Sequence, residues 1–186
     1  MGLVNCKAFG KALSLALFLS CAHAQDTDVP FVVTPDNVTL EMLKLADVKP
    51  GEHVIDLGSG DGRIVIVAAR RFGATGLGVE IVPELVDKSR DNARRAGVAE
   101  RVEFRVEDLF TTDLSRANVI TMYLLPDVNL QLRPRLQALK PGTRIVSHDW
   151  DMGDWKPDRV LTVEAPDKPI GREKRSRLFL WTVPAR

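Results

Sequence analysis

A chain of 186 residues has room for one domain and little more. Its 45% hydrophobic and 27% charged residues are those of a soluble globular protein, and a formal net charge of +1 excludes any global bias toward nucleic acid or an anionic membrane. Both cysteines, Cys6 and Cys21, lie in the first 24 residues, so the rest of the chain has no disulfide, thiolate nucleophile or cysteine metal ligand to draw on.

Residues 1–24 read as a secretory leader. Lys7 and Lys11 form a basic start, Ala12 to Ser20 is a short apolar run, and Ala22-His23-Ala24 supplies small residues for a signal peptidase, with cleavage expected after Ala24. The run is too short to cross a bilayer, which takes about 20 apolar residues. Cys21 opens a lipid-anchor alternative, although Phe18 stands where leucine is normally expected; a leader not used for export is the third reading. Removing it leaves 24 basic against 25 acidic residues, a net charge of −1 on a domain spanning 25–186.

Thr34-Pro35-Asp36 then predicts a helix start, with Thr34 as N-cap and Pro35 in the first turn, and Val38, Met42, Leu43 and Leu45 on the apolar side. Pro50-Gly51 interrupts the chain before a buried strand, His53 to Leu57. A glycine loop, Gly58-Ser59-Gly60-Asp61-Gly62, leads into Arg63 to Phe72. Its Ile64-Val65-Ile66-Val67 core suits a strand as well, but the preceding loop, Ala68-Ala69, the basic Arg70-Arg71 and the Gly73 stop favour a helix. Leu77 to Glu80 is the second strand, and Pro83 to Ala96 a helix that Gly97 ends. Val102 to Val106 and Val119 to Tyr123 follow as strands three and four. Pro126 to Leu139 is helical, with Pro134 expected to kink or divide it. Thr143 to His148, Val160 to Glu164 and Arg177 to Val183 complete seven strands, the last two without a helix between them. Alternating strands and helices imply an α/β fold: a mostly parallel sheet with helices on both faces and an antiparallel pair at one edge. Ligands of such sheets bind at the carboxyl ends of the strands, where strand order reverses.

Three features fall in that register. The run Asp56 to Gly62 sits where a strand turns into a helix, and its glycines allow a ligand close to the backbone. Glu80 closes strand two 22 positions after Gly58, where a carboxylate can accept from ribose hydroxyls. Asp108 follows strand three and can accept from an exocyclic amine of adenine. A dinucleotide fingerprint needs a third glycine where Arg63 stands, and a phosphate-binding loop needs a lysine that is missing. An acidic loop attracts a ligand carrying sulfonium and ammonium charges and repels phosphates.

The run Asp56-Leu57-Gly58-Ser59-Gly60-Asp61-Gly62-Arg63, with Glu80 and Asp108, resembles the first three motifs of class I S-adenosylmethionine (SAM)-dependent methyltransferases. Within that superfamily the chain is most similar to the small lysine N-methyltransferases of the ATP synthase c-subunit and adenine nucleotide translocase and their bacterial relatives. The resemblance rests on Pro30-Phe31-Val32-Val33-Thr34-Pro35, Met42-Leu43-Lys44-Leu45-Ala46 and Trp155-Lys156-Pro157. It implies a Rossmann-like class I methyltransferase fold with SAM as cofactor. Gly58, Ser59, Gly60 and Asp61 would surround the methionine part, with Asp56 opening the loop. Glu80 would face the ribose, Asp108 and Leu109 would frame the adenine, and Thr34 would close over the cofactor. Two departures bear on the acceptor end: Val33 replaces a proline, and Ser147-His148-Asp149-Trp150 replaces a stretch that usually carries Arg-Phe.

Acceptor candidates come from the ends of strands four and five: Tyr123, Asp127, His148 and Asp149, with Tyr123 as the catalytic candidate that positions an amine. Each has a packing role as its alternative, and Trp150 and Trp155 either line a groove or cover the sheet edge. Partners expected are SAM and a protein carrying an acceptor lysine, with no nucleic acid, no metal and no transmembrane span. A small-molecule methyltransferase and a non-catalytic SAM- or adenosine-binding protein stand as alternatives. The leader implies export and a periplasmic location, whereas SAM supply favours the cytoplasm.

Overall fold

A computed structural model describes Gly2 and residues 31–185. The leader and its cleavage site lie outside the described residues. Eleven elements follow the expected alternation: α1 (Asp36–Leu45), β1 (His53–Leu57), α2 (Arg63–Phe72), β2 (Thr75–Glu80), α3 (Pro83–Arg95), β3 (Val102–Val106), β4 (Val119–Met122), α4 (Pro126–Gln137), β5 (Arg144–His148), β6 (Arg159–Glu164) and β7 (Arg175–Thr182). They form one seven-stranded sheet in the order β3-β2-β1-β4-β5-β7-β6. β1 to β5 pair in parallel, and β7 runs antiparallel to both β5 and β6. The closing pair thus forms the edge, as its missing crossover helix requires.

Strand alternation distributes the core. Val54, Val119, Val146, Leu178 and Leu180 face one side with Val38, Met42 and Leu43 of α1 and Ile64 and Ala68 of α2. Ile55, Leu57, Ile120, Met122, Ile145 and Trp181 face the other with Leu132 and Leu136 of α4. Helix α3 packs through Val86 and Ala93 on Val65 and Ala69 of α2 and on Phe104 of β3. The Arg63–Phe72 stretch is helix, ended by Gly73 at φ 68, because its branched residues serve two of these clusters at helical spacing.

Two local expectations change. Pro35, not Thr34, caps α1: it is extended (φ −56, ψ 148), and its carbonyl accepts the Thr39 amide at 2.9 Å. The Thr34 hydroxyl is instead turned inward, 3.3 Å from His148 Nδ1. Pro134 does not divide α4, which runs unbroken past it. The carbonyl that loses its partner to the proline belongs to Leu130, on the exposed side of the helix.

Candidate functional site

The strand order reverses between β1 and β4, and a cleft of about 580 Å³ opens there at the carboxyl ends of β1, β2 and β4. Thr34, Asp56, Gly58, Ser59, Asp61, Glu80, Asp108, Leu109 and Tyr123 all line it. Gly60 does not, because the Phe31 ring lies over it so closely that any β-carbon there would meet the ring. At φ 52, Gly60 also occupies backbone space that side chains rarely adopt.

The glycine loop is held from several directions. The Gly58 and Ser59 amides donate to the Val79 carbonyl of β2 at 3.0 and 2.9 Å. Ser89 of α3 donates to the Gly60 carbonyl at 2.8 Å, and Asn92 to the Asp61 carbonyl at 3.0 Å. Glu80 Oε2 accepts the Gly60 amide at 3.0 Å, while Oε1 accepts the Ile81 and Val82 amides at 2.8 and 3.1 Å. Glu80 is therefore a structural clamp on the loop as well as a cleft residue, where the sequence had placed it facing a ligand alone.

Arg63, which breaks the dinucleotide pattern, grips Asp61 at both carboxylate oxygens (2.9 and 2.7 Å) and donates to the Thr34 carbonyl at 2.9 Å. Burial pushes the Asp61 carboxyl up, but the hydrogen bonds and charge of Arg63 outweigh it and hold the carboxyl below its ordinary value. Asp56 differs: it is 2% exposed, and its carboxylate accepts from Thr121 at 2.7 Å. Burial pushes its pKa up to about 8, against the Thr121 bond and with help from the Glu80 and Asp61 charges. At neutral pH it is a protonated acid, not the anion that the sequence suggested. Ser59 Oγ is buried and, among the described residues, has no hydrogen-bond partner.

The cleft still suits a cationic donor. Glu80, Glu107, Asp108 and Asp61 line it with a single basic residue, Arg63, already bound to Asp61. Such a lining attracts sulfonium and ammonium and repels a pyrophosphate. Ile81, Leu109 and Phe110 add an apolar end, and the volume falls in the range of about 300–1,000 Å³ that ligand pockets span.

A second cavity of about 600 Å³ adjoins the first, sharing Val32, Tyr123 and Leu124. Its mouth is open, with Trp150 43% and Ile170 50% exposed. At its Tyr123 end sits Asp149, whose Oδ2 accepts from the Tyr123 hydroxyl at 3.3 Å and pairs with Lys168 at 2.7 Å. Asp149 holds a left-handed backbone (φ 63) uncommon for a side-chain-bearing residue. It is fixed there by two bonds to Arg177: its amide donates to the carbonyl at 2.7 Å, and its Oδ1 accepts the amide at 3.0 Å. Burial first, then the charge and hydrogen bond of Asp149, push the Tyr123 phenol up to about 12, so it stays protonated.

His148 lies behind this pair. Its ring packs on Tyr123 at a tilt of 31° with centroids 3.9 Å apart, and its nitrogens sit near Thr34 Oγ1 and 2.7 Å from Ser176 Oγ. Burial lowers its pKa to about 4, so the ring is neutral and its 3.6 Å approach to Asp149 is no ion pair. His148 lines neither cavity and supports Tyr123 instead. Asp127, also an acceptor candidate, is exposed in the first turn of α4 and lines neither. Trp150 lines the outer cavity, while Trp155 packs on Trp181 at 5.8 Å and covers the sheet. Lys168, Ile170 and Arg172 of the β6–β7 connection were not foreseen, because that stretch has no periodicity or motif to mark it. Among the described residues no group of three or more His, Cys, Asp or Glu is placed to hold a metal ion, and no helix is long and apolar enough to cross a membrane.

Comparison with known proteins gives consistent matches. Residues 56–159 match the family described as the ANTKMT methyltransferase domain. A protein-lysine N-methyltransferase of Saccharolobus islandicus (strain REY15A) is 44% identical over 138 residues, covering 73% of this chain and 86% of the relative. The human lysine N-methyltransferase of the ATP synthase c-subunit is 35% identical over 155 residues, covering 79% of this chain and 66% of that protein, just under two thirds of its length. A crystal structure of an RNA methyltransferase from Salinibacter ruber in complex with S-adenosyl-L-homocysteine is 52% identical with a TM-score of 0.76, covering 83% of this chain and 95% of the other.

Proposed function

We propose, for a chain that belongs to the ANTKMT methyltransferase domain family and is a SAM-dependent methyltransferase, that its methyl acceptor is a lysine ε-amine of a protein. The observation that carries this reading is the junction of the two cavities, where Asp149 and Tyr123 present a carboxylate and a phenol side by side. A lysine entering through the open outer cavity finds a counter-ion there. The names of the Saccharolobus and human relatives point the same way.

In this reading Gly58, Ser59 and Asp61 surround the methionine part of SAM, Glu80 receives the ribose hydroxyls, and Asp108 and Leu109 frame the adenine. Bound SAM supplies an activated methyl group, and the protein has chiefly to align the amine with it. The amine must also be neutral. With an unperturbed pKa of about 10.4, deprotonating lysine at pH 7 costs roughly 4.6 kcal/mol, an amount that the apolar wall of Val32, Leu124 and Leu125 reduces by desolvation. Tyr123, protonated at neutral pH, is a hydrogen-bonding positioner and not a base. Asp149 steers the ammonium in and passes its proton toward solvent.

RNA is the second reading, favoured by the Salinibacter structure and by Arg172, Arg175 and Arg177 along the outer cavity. Asp149 weighs against it, since a carboxylate at the junction repels phosphate-flanked bases. A small-molecule acceptor calls for a closed pocket over β4 and β5, which the open mouth does not provide. Radiolabelled SAM with an extract of the native compartment, split into protein, RNA and small-molecule fractions, tests the proposal. Label is expected in protein, stable to nuclease and recovered as methyl-lysine; label in RNA alone overturns it.

A further inference from the structure

Lys168 lies in the connection between β6 and β7, where its amide closes a turn on the Ala165 carbonyl at 3.0 Å. It is not a free surface lysine. Its side chain is 12% exposed, and its ammonium contacts Asp149 Oδ2 at 2.7 Å and donates to the Arg175 carbonyl at 2.7 Å. The same Asp149 oxygen accepts the Tyr123 hydroxyl at 3.3 Å. Lys168 Nζ and Tyr123 Oη therefore share one acceptor, and Tyr123 in turn lines the donor cleft. The chain has folded a lysine of its own onto the spot where a substrate ammonium would find its counter-ion.

We propose that Lys168 is an acceptor in cis: with no substrate in the outer cavity, the enzyme methylates the ε-amine of its own Lys168. The inference rests on the lysine-acceptor reading of the same site and adds a modification site to it. The Lys168 ammonium first loses a proton to solvent. The nitrogen lone pair then forms a bond to the methyl carbon of SAM as the C–S bond breaks with its electron pair on sulfur, leaving S-adenosylhomocysteine and a methylated lysine that takes up a proton again. The connection carries the amine into place and withdraws it. A turn bounded by Pro166 and Pro169 and followed by Gly171 and the exposed residues 172–174 leaves it few packing contacts to break when a substrate lysine takes its place. Besides the turn bond to Ala165, the backbone is held by Lys174, whose side chain donates to the Lys168 carbonyl at 2.7 Å and whose carbonyl accepts the Ala165 amide at 2.7 Å.

The test has three readouts on the full chain. Without SAM, Lys168 should react with acetic anhydride several times more slowly than the exposed Lys156, and Asp149→Asn should remove that protection. Equal rates in the wild-type protein would mean that the ammonium is not held in the cavity, and would overturn the inference. SAM binding is then measured by equilibrium dialysis, and the protein is incubated with SAM alone and mapped by mass spectrometry. Methylation should appear on Lys168, at a first-order rate independent of protein concentration, and vanish in Lys168→Arg with SAM binding unchanged. If SAM binds and an added lysine peptide is methylated while Lys168 stays bare, the cis inference fails and the lysine reading survives. If SAM binds but neither is methylated, the lysine reading fails and takes this one with it.

Discussion

The Glu80 carboxylate accepts the Gly60 amide at 3.0 Å, so the residue that ends β2 also fixes the second glycine of the β1–α2 loop. With the Ile81 and Val82 amides on its other oxygen, three of its roughly four lone-pair sites are engaged by backbone. Glu80→Ala should therefore act twice. Stability should fall by about 1–3 kcal/mol, as part-buried amides lose their partner. SAM binding should weaken by about ten- to a hundredfold, as the ribose loses the one charge-assisted bond, of about 1.5–3 kcal/mol, that the remaining lone-pair site can accept. Glu80→Gln retains one acceptor and should fall between. Melting temperature and calorimetric SAM titration of the three proteins check this; normal SAM binding by Glu80→Ala would remove Glu80 from the donor site.

Asp56 makes stability depend on pH near neutrality. Its folded pKa, about 8, lies above the ordinary 3.8. Between those values the unfolded chain ionises while the folded one stays protonated, so stability is fully present below 3.8 and is lost as pH rises toward 8. His148 works in the opposite sense. Its pKa is lowered from 6.5 to about 4, so stability is lost as pH falls through that window, and His53, lowered mainly by burial, has the same sign. The opposing slopes offset one another below pH 6.5. Between pH 6.5 and 8 the Asp56 contribution dominates these three, and unfolding free energy should decline by about 1 kcal/mol per pH unit, less steeply as pH 8 is reached. Urea melts across that range should show the decline, and Asp56→Asn should flatten it. An equally steep decline in Asp56→Asn would show that the carboxyl ionises freely in the folded protein.

Much of this architecture was legible because local and long-range signals agreed. β1, β3 and α2 have the bounds expected of them, each enclosed by glycines, prolines or a polarity change. The donor cleft was legible because one backbone register brings the ends of β1, β2 and β3 together. What escaped depends on tertiary placement. Thr34 carries a capping side chain, yet the pull of a buried His148 partner turned it inward. Asp56 looks anionic in sequence, and only its complete burial makes it neutral. β7 starts at Arg175, two residues before the expected strand, because Arg-Ser-Arg hides the single buried Ser176. Lys168 had no signal at all, since its role comes from a turn that folds it back onto Asp149.

The leader is a separate proposal. The basic start, the apolar run and Ala22-His23-Ala24 support export with cleavage after Ala24, leaving a domain of residues 25–186. Amino-terminal sequencing of protein from its native cell should begin at Gln25, and the protein should fractionate with the periplasm. A start at Met1, or a lipid on Cys21, would refute export by a cleaved signal.

Tyr123 stands where the donor cleft and the outer cavity meet, so its hydroxyl and its ring can be tested apart. The hydroxyl donates to Asp149 at 3.3 Å, and the ring packs on His148 at a centroid distance of 3.9 Å. Tyr123→Phe removes only the first. Melting temperature and SAM affinity should then stay close to wild type, because the ring still fills its place. Methyl transfer to a lysine peptide should slow by about ten- to a hundredfold, the worth of one hydrogen bond to a charged partner at 1.5–3 kcal/mol. With its pKa pushed up to about 12, the phenol contributes no ionisation below pH 10. The wild-type rate should therefore climb with pH only as the acceptor amine loses its proton, and Tyr123→Phe should lower that curve without shifting it along the pH axis. A shifted curve would make Tyr123 a proton carrier, and an unchanged rate would reduce it to a packing residue at the end of β4.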